Sequence, residues 1–409
     1  MSGRRVVVTG LGVVSPIGNS LDEVSASLRS QRHGIRAMPE WDRCAHLATR
    51  LAAPVVGVDD AGFRRKTLRT VGRVGLLALT ASEAAIADAG LDPDFLGSGA
   101  VGIAYGSTSG SSSALEDFSR LVFTGNTLLG LQASTYLKFM SHTCAANLAM
   151  HFGIRGRIVT TCAACVSGSQ GIGYGYEAVK FGLQEAMVCG GAEELHFTHA
   201  AVFDVMFATS TRYNDRPDCS PRPFDVERDG LVVGEGAATL VLESLDGARA
   251  RGARVYAEVL GYGTNCDGGH PTNPSAEGMA GALRLALADA RLAPEAIDYV
   301  NAHGTGTELG DIAESAATHA VLGNNVPVSS TKSYSGHTLG AAGSIEAVFC
   351  LAALRSGFMP PTRNLERVDP RCAPLDYVRG EVRSAVLQRV MSNNFAFGGI
   401  NTSLVFGRV

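Results

Sequence analysis

The chain is poor in charge and in tryptophan. Charged residues make up 18% of its 409 residues, below the quarter or so usual for a soluble protein, and there is one Trp. Lys plus Arg number 35 against 39 for Asp plus Glu, so no basic excess exists to hold nucleic acid or an anionic membrane. No stretch has the roughly 18 uncharged apolar residues of a spanning helix, and the nearest, Ala341 to Leu354, carries Glu346 near its middle. No tandem repeat appears, which excludes solenoids and propellers. A second Cys-x-x-Cys is also missing, so Cys162 and Cys165 lack the four ligands of a structural zinc site. The nine Cys, mostly in apolar segments, do not form a disulfide framework and predict free thiols in a reducing cytoplasm. At the amino terminus, Arg4-Arg5 and then Val6-Val7-Val8 imitate a signal peptide, but Thr9, Gly10 and Gly12 interrupt the run and no A-x-A site follows. A cytoplasmic chain without membrane insertion is expected.

Hydrophobic residues reach 45%, enough for a sizeable core, and 49 Gly against 15 Pro point to tight turns and close backbone approaches around a site. Short β-branched runs alternate with longer helical patterns, the signature of βαβ units and a mainly parallel sheet. Strands are predicted over Arg5–Thr9, Val101–Tyr105, Ile158–Thr161, Met187–Cys189, Ala238–Leu242, Tyr256–Gly261, Tyr299–Ala302, Val326–Ser329, Arg389–Ser392 and Thr402–Phe406. Helices are predicted over Asp22–Ser30, Val71–Ala89, Tyr136–Phe152, Val166–Phe181, Gly278–Ala290, Leu309–Leu322 and Leu339–Ser356. Several are apolar on more than one face, as helices between sheets would be. Val101–Ser107 and Tyr299–Thr305 each read as a strand entering a Gly/Ser/Thr turn and then a helix, a loose internal symmetry. Tyr213–Arg228, with three Pro, reads as an insertion loop.

Four constellations could carry chemistry. In Thr160-Thr161-Cys162-Ala163-Ala164-Cys165, a strand ends and an Ala/Gly-rich helix begins. A thiol there meets unsatisfied N–H groups and the positive end of the helix dipole, which predicts a lowered pKa; the competing reading is an ordinary buried thiol. The second is Asn301-Ala302-His303-Gly304-Thr305-Gly306-Thr307, a histidine at a strand end with two hydroxyls for a polar ligand arm. The third runs from Thr331-Lys332 to His337 and a small-residue helix; Lys332 stands in an uncharged neighbourhood, either as a solvated surface residue or holding a carboxylate, for which Glu314, one helical turn beyond Asp311, is the natural partner. The fourth is Asn393-Asn394-Phe395-Ala396-Phe397-Gly398-Gly399, a loop whose free N–H groups suit an oxyanion hole, or else a plain Gly turn. Phosphate-loop and serine-hydrolase patterns fail: Ser15 stands where the third spaced Gly would be, and Thr108 centres the turn Gly106–Gly110.

Together with Arg222-Pro-Phe-Asp225, Arg228-Asp-Gly230 and Gly234-Glu-Gly236, these motifs make the chain resemble the elongating β-ketoacyl-[acyl-carrier-protein] synthases of the thiolase superfamily, from Val6 to Asn401. The resemblance implies a five-layered α-β-α-β-α sandwich of two similar halves, residues 1–250 with the nucleophile and 251–409 with both histidines. It implies that Cys165 is the nucleophile, His303 and His337 its partners, and Lys332 with Glu314 a supporting charged pair. Phe397 would be the gatekeeper, its N–H joining that of Cys165 as oxyanion hole. Thr305 and Thr307 would hold the phosphopantetheine arm, with Asp267, His270 and Thr272 on a mobile loop beside it. No metal or redox cofactor is implied, and the partner is an acyl carrier protein. The assembly is a homodimer, or a heterodimer with a chain-length-factor-like subunit. Two histidines, rather than His and Asn, resemble enzymes that extend carrier-bound chains. A biosynthetic thiolase would need a second reactive Cys late in the chain, where only Cys372 stands.

Three residues depart from the family pattern. Ala396 replaces a Gly, Tyr334 stands where relatives often have Met, and small polar residues around Ser109 replace a bulky aliphatic, placing Ser109 beside a deeper or more polar acyl tunnel. These leave the pathway open between primary fatty acid synthesis and a specialised chain such as an aryl polyene or polyketide. Arg64, Arg65 and Lys66, then Arg69 and Arg73, form a basic cluster in which 65, 69 and 73 would share one helical face, a dock for an acidic carrier protein or simply a solvated face.

Overall fold

The computed structural model describes residues 3–409, leaving Met1 and Ser2 outside it. Ten strands build its centre: β1 Val6–Val14, β2 Val101–Gly106, β3 Ile158–Thr161, β4 Ala186–Glu193, β5 Gly236–Ser244, β6 Ala257–Cys266, β7 Tyr299–Asn301, β8 Pro327–Ser329, β9 Arg389–Ala396 and β10 Ile400–Gly407. In the first half they lie in the order β3-β2-β4-β5-β1, and in the second in the matching order β8-β7-β9-β10-β6. The pairing directions match as well: β2 is parallel to β3 and β4, as β7 is to β8 and β9. The inner pairs are antiparallel in both halves. The two halves are therefore one topology used twice. The expectation of a mainly parallel sheet is corrected: β9 and β10 form a hairpin across a three-residue turn, which forces the antiparallel sense, and the first half keeps that sense across a much longer connection.

The helices fill three of five alternating layers, and the strands fill the other two. Helices α1 Arg73–Ala89 and α2 Thr143–Phe152 cover the first sheet from outside, and α4 Ala276–Ala290 and α5 Glu308–Leu322 cover the second. Between the sheets lie α3 Ser167–Lys180 and α6 Ala342–Ser356. The segment Leu339–Ser356 is long and apolar enough to cross a membrane by composition, but α6 is buried between the two sheets, so its apolar surface is consumed by the core. Gly168 explains how two helices fit into one layer: a Cβ there would lie 2.9 Å from the Ser344 nitrogen of α6. In β1, a Cβ on Gly12 would meet the Ala81 carbonyl of α1 at 1.9 Å, so that glycine lets a helix lie flat on the sheet.

Two further expectations are corrected. The predicted helix Tyr136–Phe152 is two helices, Ala133–Phe139 and α2, separated at the extended Met140. The first packs Phe139 on Phe118, ring centres 5.3 Å apart, whereas α2 packs on α1, so different neighbours pull the halves apart. The Tyr213–Arg228 segment is no solvated insertion at its second end. Arg222, Asp225 and Arg228 are buried there, and Arg228 donates to Asp369 Oδ2 at 2.7 Å.

Candidate active site

Beyond β3 the chain turns sharply. Ala164 takes φ +48°, a left-handed value rare outside glycine, and a short turn Ala164–Val166 leads into α3. The Ser167 hydroxyl accepts the Ala163 N–H at 2.9 Å and steadies the bend. Cys165 is thereby lifted to the helix entrance, 6% exposed, on the wall of a cavity of about 580 Å³. His303, Thr305, Thr307, His337, Phe397, Asp267, His270 and Thr272 line the same cavity. Cys162 turns away and donates its thiol to the Thr108 carbonyl at 3.0 Å, and both cysteines are free.

The predicted fall in the Cys165 pKa is corrected. Burial pushes the thiol up to about 12; the Lys332 charge and the N–H groups of Cys165 and Phe397 pull it down, and the Glu193 carboxylate adds to the rise. Desolvation of a thiolate outweighs the helix entrance, so the resting group is a thiol. The N–H groups that face the sulfur come from two separate elements, the start of α3 and the β9–β10 hairpin. That hairpin turn is Phe397-Gly398-Gly399, with φ +85° and +73° at its glycines. The Phe397 ring is 36% exposed and packs on Phe203 with centres 5.3 Å apart.

His303 follows β7, and His337 follows the buried turn Lys332–Ser335. Their rings meet edge to face, centres 5.1 Å apart and planes at 89°. Burial, reinforced by the Lys332 charge, holds both imidazoles well below the usual histidine range, so both are neutral at pH 7. Each Nδ1 is buried without a hydrogen-bond partner. An orphan N–H costs more than an orphan lone pair, which favours the tautomer with the proton on Nε2. The site thus holds two neutral imidazoles whose N–H sits on the ring edge away from the orphan nitrogen.

The proposed pairing of Lys332 with Glu314 is corrected. Lys332 Nζ is bound to Glu346 of α6, and Asn394 donates to the other Glu346 oxygen at 2.6 Å. Glu314 instead accepts the His303 N–H at 2.7 Å and the Gly304 N–H at 2.6 Å. It holds the histidine's backbone rather than a cation, and burial raises its carboxyl to about 8. Asp311 accepts from Phe224 and Gly306 N–H groups and faces Arg228 at 3.5 Å, so the turn Gly304–Thr307 is tied down from beneath. Thr305 and Thr307 share a hydrogen bond of 2.9 Å between hydroxyls. Asp267 accepts from Asn401 at 2.7 Å, and its N–H donates to the Gly399 carbonyl at 2.8 Å, fastening its loop to the hairpin.

The comparisons with known proteins agree with this layout. A profile of the β-ketoacyl synthase N-terminal domain matches residues 3–248, and that of the β-ketoacyl synthase C-terminal domain matches residues 256–366. The chain belongs to the β-ketoacyl synthase family. It is 38% identical to the Haemophilus influenzae protein named 3-oxoacyl-[acyl-carrier-protein] synthase 1, with 99% of each chain covered. A β-ketoacyl synthase from Burkholderia phymatum superposes with a TM-score of 0.96 at 52% identity, over 99% of this chain and 100% of the other. The ishigamide ketosynthase/chain length factor superposes with a TM-score of 0.91 at 36% identity, over 100% of both.

Not every residue that the β-ketoacyl synthase resemblance singled out reaches the cavity. Ser109 is exposed on the turn after β2 and does not line it, because that turn carries the side chain to the surface of the chain. Tyr334 is buried in the core with its hydroxyl donating to the Pro361 carbonyl at 2.8 Å, so the departure from Met there is a packing change. Cys372 is buried away from the cavity, unlike a second thiolase cysteine. The basic cluster is not one helix: Arg65–Leu68 is a single turn, and Arg73 folds back onto the buried Glu235 at 3.0 Å. Arg64, Arg65, Lys66 and Arg69 remain exposed. Sequence reasoning missed Glu193 and the pairing role of Glu346. The signal was present in both cases, a lone acid in an apolar helix and an acid closing an apolar strand.

Proposed function

We propose that this β-ketoacyl synthase extends an acyl chain held on Cys165 by two carbons, through decarboxylative condensation with malonyl-acyl carrier protein in the cytoplasm. The observation that carries the reading is the meeting of one thiol, two backbone N–H groups and two neutral imidazoles on one cavity wall. First the Cys165 sulfur attacks the thioester of an acyl carrier protein while an imidazole, in its minor Nδ1–H tautomer, takes the thiol proton on Nε2. The N–H groups of Cys165 and Phe397 receive the developing oxyanion, each worth roughly 10²–10³ in rate. The carrier's thiolate leaves and takes that proton. Malonyl carrier protein then enters past Phe397, its phosphopantetheine arm held by Thr305 and Thr307 beside Asp267, His270 and Thr272.

Loss of CO₂ leaves an enolate, whose oxygen accepts from His303 and His337 through Nε2–H. The carbanion attacks the acyl-Cys165 carbonyl, the tetrahedral adduct expels the Cys165 thiolate, and the β-ketoacyl chain departs on the carrier. The thiolate regains a proton from solvent. Residues 1–250 supply the thiol and 251–409 both imidazoles, and Arg64, Arg65, Lys66 and Arg69 offer an acidic carrier protein a landing site. The test is intact-protein mass after incubation with short saturated, long saturated and aryl-polyenoyl carrier proteins. A mass gain localised to Cys165 and lost in Cys165→Ala is expected. Condensation retained by Cys165→Ala would overturn the reading.

The whole-chain likeness to a ketosynthase/chain length factor favours a second reading of the assembly, in which this chain is the active subunit of a heterodimer serving a specialised pathway. Acylation that needs an added chain-length subunit supports it; acylation of the chain alone supports a homodimer.

A further inference from the structure

The two halves of the fold carry the same elbow, but only one carries the thiol. Ala164 has φ +48° and Leu339 has φ +47°, each opening a short turn that leads into a middle-layer helix. Cys165 and Gly340 are the central residues of those turns. Likewise β4 and β9 hold the same place in the two sheets, so Glu193 and Ala396 are the matching last residues. In one half the Cys165 sulfur lies against the N–H of Phe397, the residue after Ala396. In the other, Glu193 reaches over the empty elbow: its Oε2 accepts the Gly340 N–H at 3.0 Å and the Thr108 N–H at 2.9 Å. A Cβ on Gly340 would lie 2.8 Å from that oxygen, so the carboxylate occupies the space a side chain would need. Glu193 is fully buried, and its Oε1 has no partner.

We propose that Glu193 is a positioning residue for the condensation, clamping the turn after His337 to the turn after β2 and placing a carboxyl group beside Cys165. The inference rests on Cys165 being the acyl-accepting thiol. Gly340 lies three residues from His337, whose own N–H is held by the Val232 carbonyl at 2.7 Å. Without Glu193, the backbone around His337 is anchored on one side only, and the buried Gly340 N–H and part-buried Thr108 N–H lose their acceptor. The titratable groups coupled by charge to the carboxyl are Glu194, Cys144, Cys162 and Cys165, and the Lys332 charge acts on Cys165 in the opposite sense. Burial raises Glu193 to about 7, so its charge forms near neutrality and opposes ionisation of the thiol.

Two variants separate the clamp from mere packing. Glu193→Ala removes both acceptors, and kcat is expected to fall about ten- to hundredfold with KM changed by less than about threefold. Glu193→Gln keeps an amide oxygen for the two N–H groups and is expected to recover at least about tenfold of a hundredfold loss. The second readout is the pH profile of Cys165 alkylation by iodoacetamide, with the label located by mass. In Glu193→Gln the profile shifts to lower pH, because the opposing charge is gone; a purely structural residue would leave it in place. Wild-type kcat in Glu193→Ala, equal loss in both variants, or an unmoved alkylation profile in Glu193→Gln each overturns the proposal. If Glu193→Ala does not fold, the Glu193→Gln profile decides alone. Alkylation needs no acyl donor, so failure of the proposed function shows separately, as absent acylation of the unmodified protein.

Discussion

Lys332 and Glu346 form an ion pair behind the two histidines, with side chains 1% and 2% exposed. Neither lines the cavity, so the pair acts on the site through its field. The Lys332 charge lowers the pKa of His303 and of His337 and also opposes the rise at Cys165. One buried cation therefore reinforces what burial does to the two imidazoles and eases ionisation of the thiol. Glu346→Ala strands that cation and is expected to cost about 3–5 kcal/mol of stability by urea unfolding. Lys332→Met removes the field. The imidazole pKa values rise, the acid limb of the condensation rate moves to higher pH, and Cys165 alkylation needs a more alkaline solution than in wild type.

Glu314 provides a stability test with a defined sign. Its folded pKa is raised from 4.5 to about 8, so between those values the folded state binds more protons than the unfolded state. The stability from this group is complete below pH 4.5 and is lost as pH rises through about 8. Glu314→Gln cannot titrate. The stability advantage of wild type over Glu314→Gln, from urea unfolding at several pH values, should shrink steadily from pH 4.5 to 8. A constant gap would mean that the carboxyl is not raised.

The hairpin turn distinguishes two neighbouring glycines. Both have left-handed φ, so each Ala substitution carries about 1–2 kcal/mol of backbone strain. A Cβ on Gly398 meets nothing within 4 Å, whereas one on Gly399 would lie 2.8 Å from Asp267 Cβ. Gly399→Ala should therefore lose more stability and more kcat than Gly398→Ala, because it also displaces the Asp267 loop from the cavity rim. Thermal unfolding and steady-state kinetics on the two variants check this.

The residue pattern made much of this architecture readable. All ten predicted strands exist, mostly longer than predicted, and the likeness of Val101–Ser107 to Tyr299–Thr305 does mark matching strands. Local cues suffice there, because β-branched runs and glycine turns report their own backbone. What escaped depends on distant partners. Lys332 meets an acid in a different element, and Glu314 meets backbone N–H groups that leave no trace in a sequence. The Cys165 thiol was misjudged for the same reason. Its helix entrance is visible in the sequence, but the burial that dominates its pKa comes from residues distant along the chain in both halves, among them Phe203, Leu231 and Leu339.

His303 and His337 should separate the two stages of the reaction. In the proposed mechanism, acyl transfer to Cys165 would use the N–H groups of Cys165 and Phe397 as oxyanion donors, whereas decarboxylation would rely on both imidazole N–H groups. Replacing either histidine by Ala removes one enolate donor, expected to cost about 10²–10³ in condensation rate. The surviving imidazole can still accept the thiol proton, so acylation should fall far less. Intact mass measures acylation, and CO₂ release from malonyl carrier protein measures decarboxylation, both on the same enzyme sample. Near-complete acylation with decarboxylation down by two orders of magnitude is the expected pattern in each single variant. In the double variant no neutral imidazole remains to take the thiol proton, so acylation should fall as well, while Glu314 and Lys332 stay in place. Equal loss of both stages in a single variant would mean that the two imidazoles work as one proton acceptor rather than as paired enolate donors.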